Sequence, residues 1–508
     1  MSERRRVSAL FNMLVGGISY AVPLLLNLWA TPIVLRKLGP EAVGLQSLSA
    51  AIIGYMTVAE MGLDVPIVKL IAQRFASGSP LRAAQVVKAA MVLYAVIGIS
   101  GGAAIWLMAP LLANKIFNVD PHLSGTAIAV FRISAVGFLA TMLVSWGRAT
   151  CMGFQSYYLS QAISALAGLL GTLVGIFFIS AGGDLETFLW SRVAFLISSI
   201  ACYWLVASRY MRMASLGISV FVGVLGELRY YVGYGILGRL SGAVLGRLDQ
   251  AVIGAMLGVA ALACFSVPVS ILSSLVTMIG FIMGFALPRA AELAESDSEV
   301  RREFSVLVIS VTALIGTAAL LPLLLFAPAF FTLWTPDIAI DASRVTQVMA
   351  VPCLLNLIAG TSTGSLMLGA GFVREVTFYG ILRGTAYALA CYSFAIGGDV
   401  RDAAMAAWVC VPIDLVYLFV VVPRCLRVSR RALLRGVPVV LLSAGLVALA
   451  VLAIDGVWGQ PTTWISFFLA TICAAVACVI LGILLSAKIG GLEGVVGRLS
   501  SAFYLRIL

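Results

Sequence analysis

Residues 230–256 read YYVGYGILGRLSGAVLGRLDQAVIGAM. Whether this stretch crosses a membrane decides the fold, because every later segment changes sides if it does not. Arg239, Arg247 and Asp249 interrupt its apolar run, so a plain hydropathy window would discard it. Helical geometry gives those interruptions a common place. At 100° per residue Arg239, Gly242, Ala243, Gly246, Arg247 and Gln250 fall on one face. The charge distribution along the rest of the chain then tests the count of spans.

The chain around it has 508 residues, 62% hydrophobic and 11% charged, with a mean hydropathy of +1.08. A water-soluble globule needs far more polar surface than that. Backbone groups left unpaired in hydrocarbon are too costly, so the spanning structure is helical or a closed barrel. Long uninterrupted apolar runs exclude the barrel's alternation. Requiring roughly 20 apolar residues per crossing places spans near 10–35, 42–62, 88–113, 123–146, 157–180, 186–208, 230–256, 260–287, 304–328, 344–369, 375–397, 402–423, 434–454 and 462–486. This predicts an all-α polytopic membrane protein of about fourteen transmembrane helices. Arg4, Arg5 and Arg6 precede an apolar run too long for a secretory h-region, so the first span reads as an uncleaved helix.

With the N-terminus cytoplasmic, 23 basic residues fall in inner segments and 5 in outer loops, with 5 more inside spans, which accounts for all 33. That follows the positive-inside rule, and dropping residues 230–256 would spoil it. Both termini are then cytoplasmic, in a bacterial inner membrane. The net charge of +11 is mostly cytoplasmic-side arginine beside anionic headgroups and needs no nucleic-acid partner. Lys69, Arg74, Arg82 and Lys88 belong to one inner segment. The longest inner connection, Pro288 to Glu303, reads as a solvated linker. No loop is long enough for a separate catalytic domain. The nine cysteines stand singly, without CxxC or metal spacing, as buried small hydrophobes. His122, the sole histidine, lies at the outer start of the fourth span. No metal site and no catalytic constellation is expected.

An internal repeat organises the spans. Leu38, Gly39, Ala42 and Ser47 recur as Leu257, Gly258, Ala261 and Ser266, a shift of 219 residues. Both stretches join an odd-numbered span to the next, so the repeats are parallel. The same shift lays Pro23 and Asn27 over Gly242 and Gly246. Asn12, Gly16, Ser19, Pro23 and Asn27 form a small or polar stripe on the first span, matching the stripe on the seventh. Two readings stand: close helix packing, or two stripes lining a central cavity between six-helix lobes. The expected lobes are residues 1–215 and 216–425, with residues 426–508 as two further helices.

Ionisable residues at membrane depth are expensive and are functional candidates by default. Arg132, Arg239 and Arg383 lie near the middle of the fourth, seventh and eleventh spans, and Arg192 and Arg247 nearer the outer side. Against these five stand Asp249 and Asp414. The excess is positive, so the bound species is expected to be anionic, and the guanidinium fork suits phosphate. Asn27 and Gln250 join the arginines as substrate-binding candidates. Asp249 and Asp414 read as structural counter-ions or as ion-coupling groups. Glu60 and Asp64, at the inner end of the second span, read as interfacial.

The run from Leu35 to Gly44, LRKLGPEAVG, the later Glu60-Met61-Gly62-Leu63-Asp64, and Leu248-Asp249-Gln250-Ala251-Val252-Ile253-Gly254 with its Leu257-Gly258 step resemble polysaccharide biosynthesis flippases. These belong to the oligosaccharidyl-lipid branch of the multidrug/oligosaccharidyl-lipid/polysaccharide (MOP) exporter superfamily. The resemblance implies a MATE-like fold of two six-helix lobes around an alternately opening cavity, and a polyprenyl-diphosphate-linked oligosaccharide as cargo. It also implies an accessory C-terminal helix pair that guides the lipid tail, and polysaccharide polymerases or glycosyltransferases as partners beside the membrane lipids. No GxxxxGK[ST] loop is present, so the driving force is expected from a Na+ or H+ gradient or from product removal, without a cofactor. The rivals are a drug/cation antiporter of the same architecture, which should favour cavity carboxylates, a peptidoglycan-precursor flippase, and a membrane glycan polymerase or ligase.

Overall fold

The computed structural model describes residues 3–56, 63–211, 221–228, 248–283, 298–428, 444–451 and 460–488, with single positions at 217, 286, 290, 293 and 442. All regular structure among the described residues is helical. The principal helices are α1 (Glu3–Met56), α2 (Asp64–Ala76), α3 (Pro80–Leu111), α4 (Ser124–Gly153), α5 (Tyr157–Ser180), α6 (Leu185–Met211), α7 (Leu248–Met256), α8 (Val259–Ile282), α9 (Ser298–Leu325), α10 (Ala327–Trp334), α11 (Ala339–Asn356), α12 (Val373–Ala395), α13 (Val400–Val416) and α14 (Trp464–Lys488). Nine of the helical runs among the described residues are long and apolar enough to cross a membrane. Helices α1 and α12 also cover residues of expected spans. The chain is a multi-pass membrane protein. Of the decisive stretch 230–256, only the part from Leu248 lies within the described residues, and most of the expected thirteenth span lies outside them.

Two compact units partition the chain, Met1–Ala263 and Cys264–Leu508. In the first, α1 bends sharply at Gly39, whose φ of 83° and ψ of 171° lie outside helical space. Gly258, its counterpart in the 219-residue repeat, has a φ of 88°. A left-handed φ is routine only for glycine, so the repeat preserves a backbone requirement as well as a likeness of letters. The arm of α1 after the bend packs against the start of α8. A Cβ on Gly44 would clash with the Val259 carbonyl oxygen, so the two repeat-related steps meet backbone to backbone.

Several polar groups buried in this unit are paired. The Trp146 indole donates to the Val87 carbonyl at 2.9 Å, tying α4 to α3. The Tyr203 hydroxyl on α6 reaches Ser164 and the Ser160 carbonyl on α5. Asp64, at the start of α2, accepts from Tyr94 of α3 at 3.1 Å and Arg148 of α4 at 3.4 Å. That fastening gives the interfacial carboxylate a structural role, while Glu60 lies outside the described residues.

In the second unit α14 lies along α9. Leu321, Phe326, Phe467, Ala474 and Cys478 form a buried seam, and Phe330 of α10 stacks among Trp334, Trp464 and Phe467.

The segment holding Lys69 and Arg74 forms helix α2, which buries Ile67, Leu70 and Ile71. One reading of the connections needs correction. The linker expected from Pro288 to Glu303 is already helical from Ser298. Counting apolar residues marks where hydrocarbon ends, but a helix need not end there, because water and headgroups tolerate further turns of charged helix.

Candidate functional site

Two polar clusters stand out, one in each unit. In the second unit, Tyr379 and Arg383 are four residues apart on α12 and share a face. Asp414 on α13 faces both. Its Oδ1 accepts from Arg383 Nε at 2.9 Å and from the Tyr379 hydroxyl at 2.7 Å. Asp414 is 1% exposed, and its Oδ2 is buried without a hydrogen-bond partner. The Tyr379 ring stacks on Tyr417 at 4.0 Å, and the Cys410 thiol donates to the Arg383 carbonyl.

Helix α13 can present Asp414 so firmly because its start is fixed by a reciprocal capping box between Asp399 and Asp402. Immediately after Asp414 the helix widens into a π turn, Tyr417–Val421. A second π turn, Leu357–Ser362, follows α11. A Cβ on its Gly360 would lie 2.7 Å from Asn356 Oδ1 and 3.4 Å from the Tyr379 hydroxyl, so the glycine admits that side of the cluster. π turns frequently mark functional positions.

Arg383 and Asp414, given separate roles on sequence grounds, are therefore partners. Arg383 uses Nε for Asp414, while its two Nη groups make no hydrogen bond among the described residues. The carboxylate fixes the guanidinium through Nε and leaves its forked end without a hydrogen bond among the described residues.

The second cluster surrounds a cavity of about 390 Å³ in the first unit. Gln46 and Ser49 reach it from the second arm of α1, Ser134 and Thr141 from α4, Gly168 from α5 and Arg192 from α6. Arg192 stands with its guanidinium carbon 5.8 Å from the Phe188 ring centre and has no carboxylate partner among the described residues. No carboxylate lines the cavity. Ser134 donates to the Val130 carbonyl at 2.7 Å, and Ser49 bonds Ser134 at 2.5 Å. Helix α6 is anchored at its start by Asp184, whose Oδ1 accepts from the Thr187 backbone and hydroxyl at 2.9 and 2.7 Å.

Of the remaining candidates, Arg132 is exposed on α4, its guanidinium carbon 5.3 Å from the Trp106 ring centre. Asp249 is 4% exposed and accepts from the Gln250 backbone at 2.8 Å. Asn27 is exposed, and its carbonyl accepts from Thr31. Arg239 and Arg247 lie outside the described residues. Gln46, Ser49, Ser134 and Tyr379 were not singled out on sequence grounds. A signal existed: Gln46-Ser49-Ile53 and Ser134-Gly137-Thr141 both run at i, i+3, i+7 within apolar spans. Among the described residues no cluster of His, Cys, Asp and Glu could hold a metal ion.

The fold has solved counterparts. A lipid II flippase MurJ in an inward closed conformation superposes with a TM-score of 0.70 at 9% identity, covering 97% of this chain and 99% of its own. An inward-facing multidrug resistance MATE family transporter of the MOP superfamily does so with a TM-score of 0.64 at 16% identity, covering 93% and 98%. No curated protein matches the chain. The family described as polysaccharide biosynthesis protein matches residues 33–334, more than half of the sequence. These residues carry the kinked α1, the Arg192 cavity and the Gly258 step, and by that match the chain belongs to the polysaccharide biosynthesis protein family, with the fold of MOP-superfamily transporters.

Proposed function

We propose that this protein flips a polyprenyl-diphosphate-linked oligosaccharide, a precursor of surface polysaccharide such as O-antigen or exopolysaccharide, across a bacterial cytoplasmic membrane by alternating access. The observation that carries this reading is the surplus of guanidinium groups within the spans. Arg132 has no carboxylate partner among the described residues, and Arg383 keeps both Nη groups free of hydrogen bonds there. A diphosphate needs such donors at membrane depth, where leaving it unneutralised is prohibitive. Family membership supports a saccharide cargo, and a flippase of lipid II has the same fold.

In this mechanism Arg383 donates through its Nη groups to a phosphate oxygen, while Asp414 and Tyr379 hold its plane. Arg239 and Arg247, with Asn27 and Gln250, are the cationic and polar groups that the repeat-related spans offer the same cargo. Asp249 and Asp414 are the groups available for coupling to a Na+ or H+ gradient. The polyprenyl tail stays in an apolar setting. A cavity of about 580 Å³ lined by Phe326, Val447, Val451, Ala474 and Leu481 offers one beside α14. Glycosyltransferases and a polymerase would supply and consume the cargo. Both termini face the cytoplasm.

Deletion of the gene followed by quantification of surface polymer and of lipid-linked glycan in each leaflet tests the proposal. Loss of polymer with precursor trapped on the cytoplasmic side is the expected result. Unchanged glycan with altered drug sensitivity would overturn it in favour of the antiporter reading, which the MATE-type fold also accommodates.

A further inference from the structure

The cavity beside Arg192 is chemically unlike a diphosphate site. It offers one cation, and no carboxylate among its lining residues to pull that cation away. Its hydroxyl protons are already committed. Ser134 donates to the Val130 carbonyl, Thr141 to the Gly137 carbonyl, and Ser49 to Ser134. What these three groups present to the cavity is therefore lone pairs. Gln46 makes no hydrogen bond among the described residues and brings both an acceptor and a donor. A ligand that satisfies this set carries a single negative charge for the Arg192 fork together with several hydroxyl donors. Chloride would meet the guanidinium and leave the acceptors unanswered. A drug-like cation would be repelled.

We infer that the Arg192 cavity binds an acidic monosaccharide unit of the cargo, with the sugar carboxylate on the Arg192 guanidinium and its hydroxyls donating to Ser49, Ser134, Thr141 and Gln46. Pairing of a planar carboxylate with a guanidinium is bidentate and directional. The volume, about 390 Å³, admits one pyranose ring with water and not a long oligosaccharide. Arg192 sits seven residues into α6, about 10 Å from its start, so the site is at membrane depth, where an unpaired buried polar group is costly. A neutral sugar would leave Arg192 unanswered and so be rejected. This inference rests on the flippase reading and makes the cargo an acidic glycan.

The test uses the full-length protein in phosphatidylcholine vesicles with two synthetic polyprenyl-diphosphate oligosaccharides, one containing a hexuronic acid and the other its carboxyl-reduced neutral twin. The acidic cargo should flip about tenfold faster or more, the worth of one charge-assisted contact. Arg192→Gln should erase the preference, so that the acidic and the neutral cargo flip at one rate. Gly168→Val provides a second route. A Cβ there meets nothing within 4 Å, so the added methyl groups fill the cavity without straining the helix, and the preference should vanish with Arg192 still present. Equal flipping of the two cargoes by the wild type would overturn the acidic-sugar site and leave the flippase reading standing. Saturation-transfer NMR with glucuronate and glucose separates the two claims. Glucuronate binding that Arg192→Gln abolishes, with neither cargo flipped, would sustain the site and sink the flippase. Glucose binding equal to glucuronate, or complete displacement of glucuronate by chloride, would sink the site.

Discussion

Arg192 and Arg383 look alike in the sequence, each a lone arginine within an apolar span, yet the two units surround them differently. Arg383 is locked into a packed node, with Asp414 1% exposed and bonded to Tyr379, whose ring stacks on Tyr417. Arg192 faces a cavity and rests only on an aromatic ring. A guanidinium with a buried partner is part of the packing, because its removal strands the partner's charge. A guanidinium held without a partner has nothing to strand, and its cost is borne for what it can bind. The difference teaches that intramembrane arginines cannot be scored by charge and depth alone. Their partners separate a guanidinium that also carries structure from one that does not.

The largest effect should come from breaking the node. Arg383→Ala leaves Asp414 buried and unpaired, and loss of one partner of a buried pair costs about 3–5 kcal/mol. Asp414→Ala should cost a similar amount by stranding Arg383. The double variant should be more stable than the two single losses add up to. Thermal unfolding of the purified protein in one detergent checks this, and strictly additive losses would show that the ion pair is not the unit of stability. The comparison turns on Arg192→Gln in the same assay. It should not lower stability, since it removes a charge that has no partner among the described residues. A loss as large as that of Arg383→Ala would erase the contrast.

A smaller effect is expected from the backbone. Gly39 and Gly258 both hold positive φ, and an alanine there costs about 1–2 kcal/mol. The two losses should be alike, as befits repeat-related steps. Their functional consequences should differ from those of the node variants. Gly39 precedes the arm of α1 that delivers Gln46 and Ser49 to the Arg192 cavity, so Gly39→Ala should blunt cargo discrimination without touching the Arg383–Asp414 distance. Discrimination retained in full by Gly39→Ala, with the expected loss of stability, would detach the bend from the site.

How far the sequence reveals this depends on the range of the interaction that defines each feature. Spans are local properties of composition: residues 157–180 read as one span, and α5 occupies Tyr157–Ser180. The Leu38-Gly39 and Leu257-Gly258 steps were legible because glycine at a bend is a demand of the chain on itself. The Arg383–Asp414 pair was not, although both residues were singled out. Joining them needs the relative rotation of α12 and α13, which tertiary packing sets. Stripes on consecutive spans, Tyr379 with Arg383 and Cys410 with Asp414 and Tyr417, carried that information without the register. The cavity was the least legible of all. It gathers residues from α1, α4, α5 and α6, and an empty volume has no residue of its own to read.

The smallest expected effect is also the cleanest control. Helix α6, which carries Arg192, starts at Asp184, and helix α13, which carries Asp414, starts at Asp399. Replacing either by alanine removes an N-cap and should cost about 1 kcal/mol, equally in the two units, because a cap senses only its own helix end. The Thr187 hydroxyl, and then its backbone N–H, hold the Asp184 carboxyl below its ordinary value. A depressed folded-state pKa gives stability that is present above the unfolded value of about 3.9 and lost as pH falls through the folded one. The gap between wild type and Asp184→Ala should therefore be constant near neutrality and narrow only in strong acid, as followed by thermal unfolding across pH. A gap that already narrows between about pH 7 and about pH 5, above the range in which an ordinary aspartate titrates, would mean that a group other than Asp184 titrates with the cap, and that the carboxylate does not sense its own helix end alone.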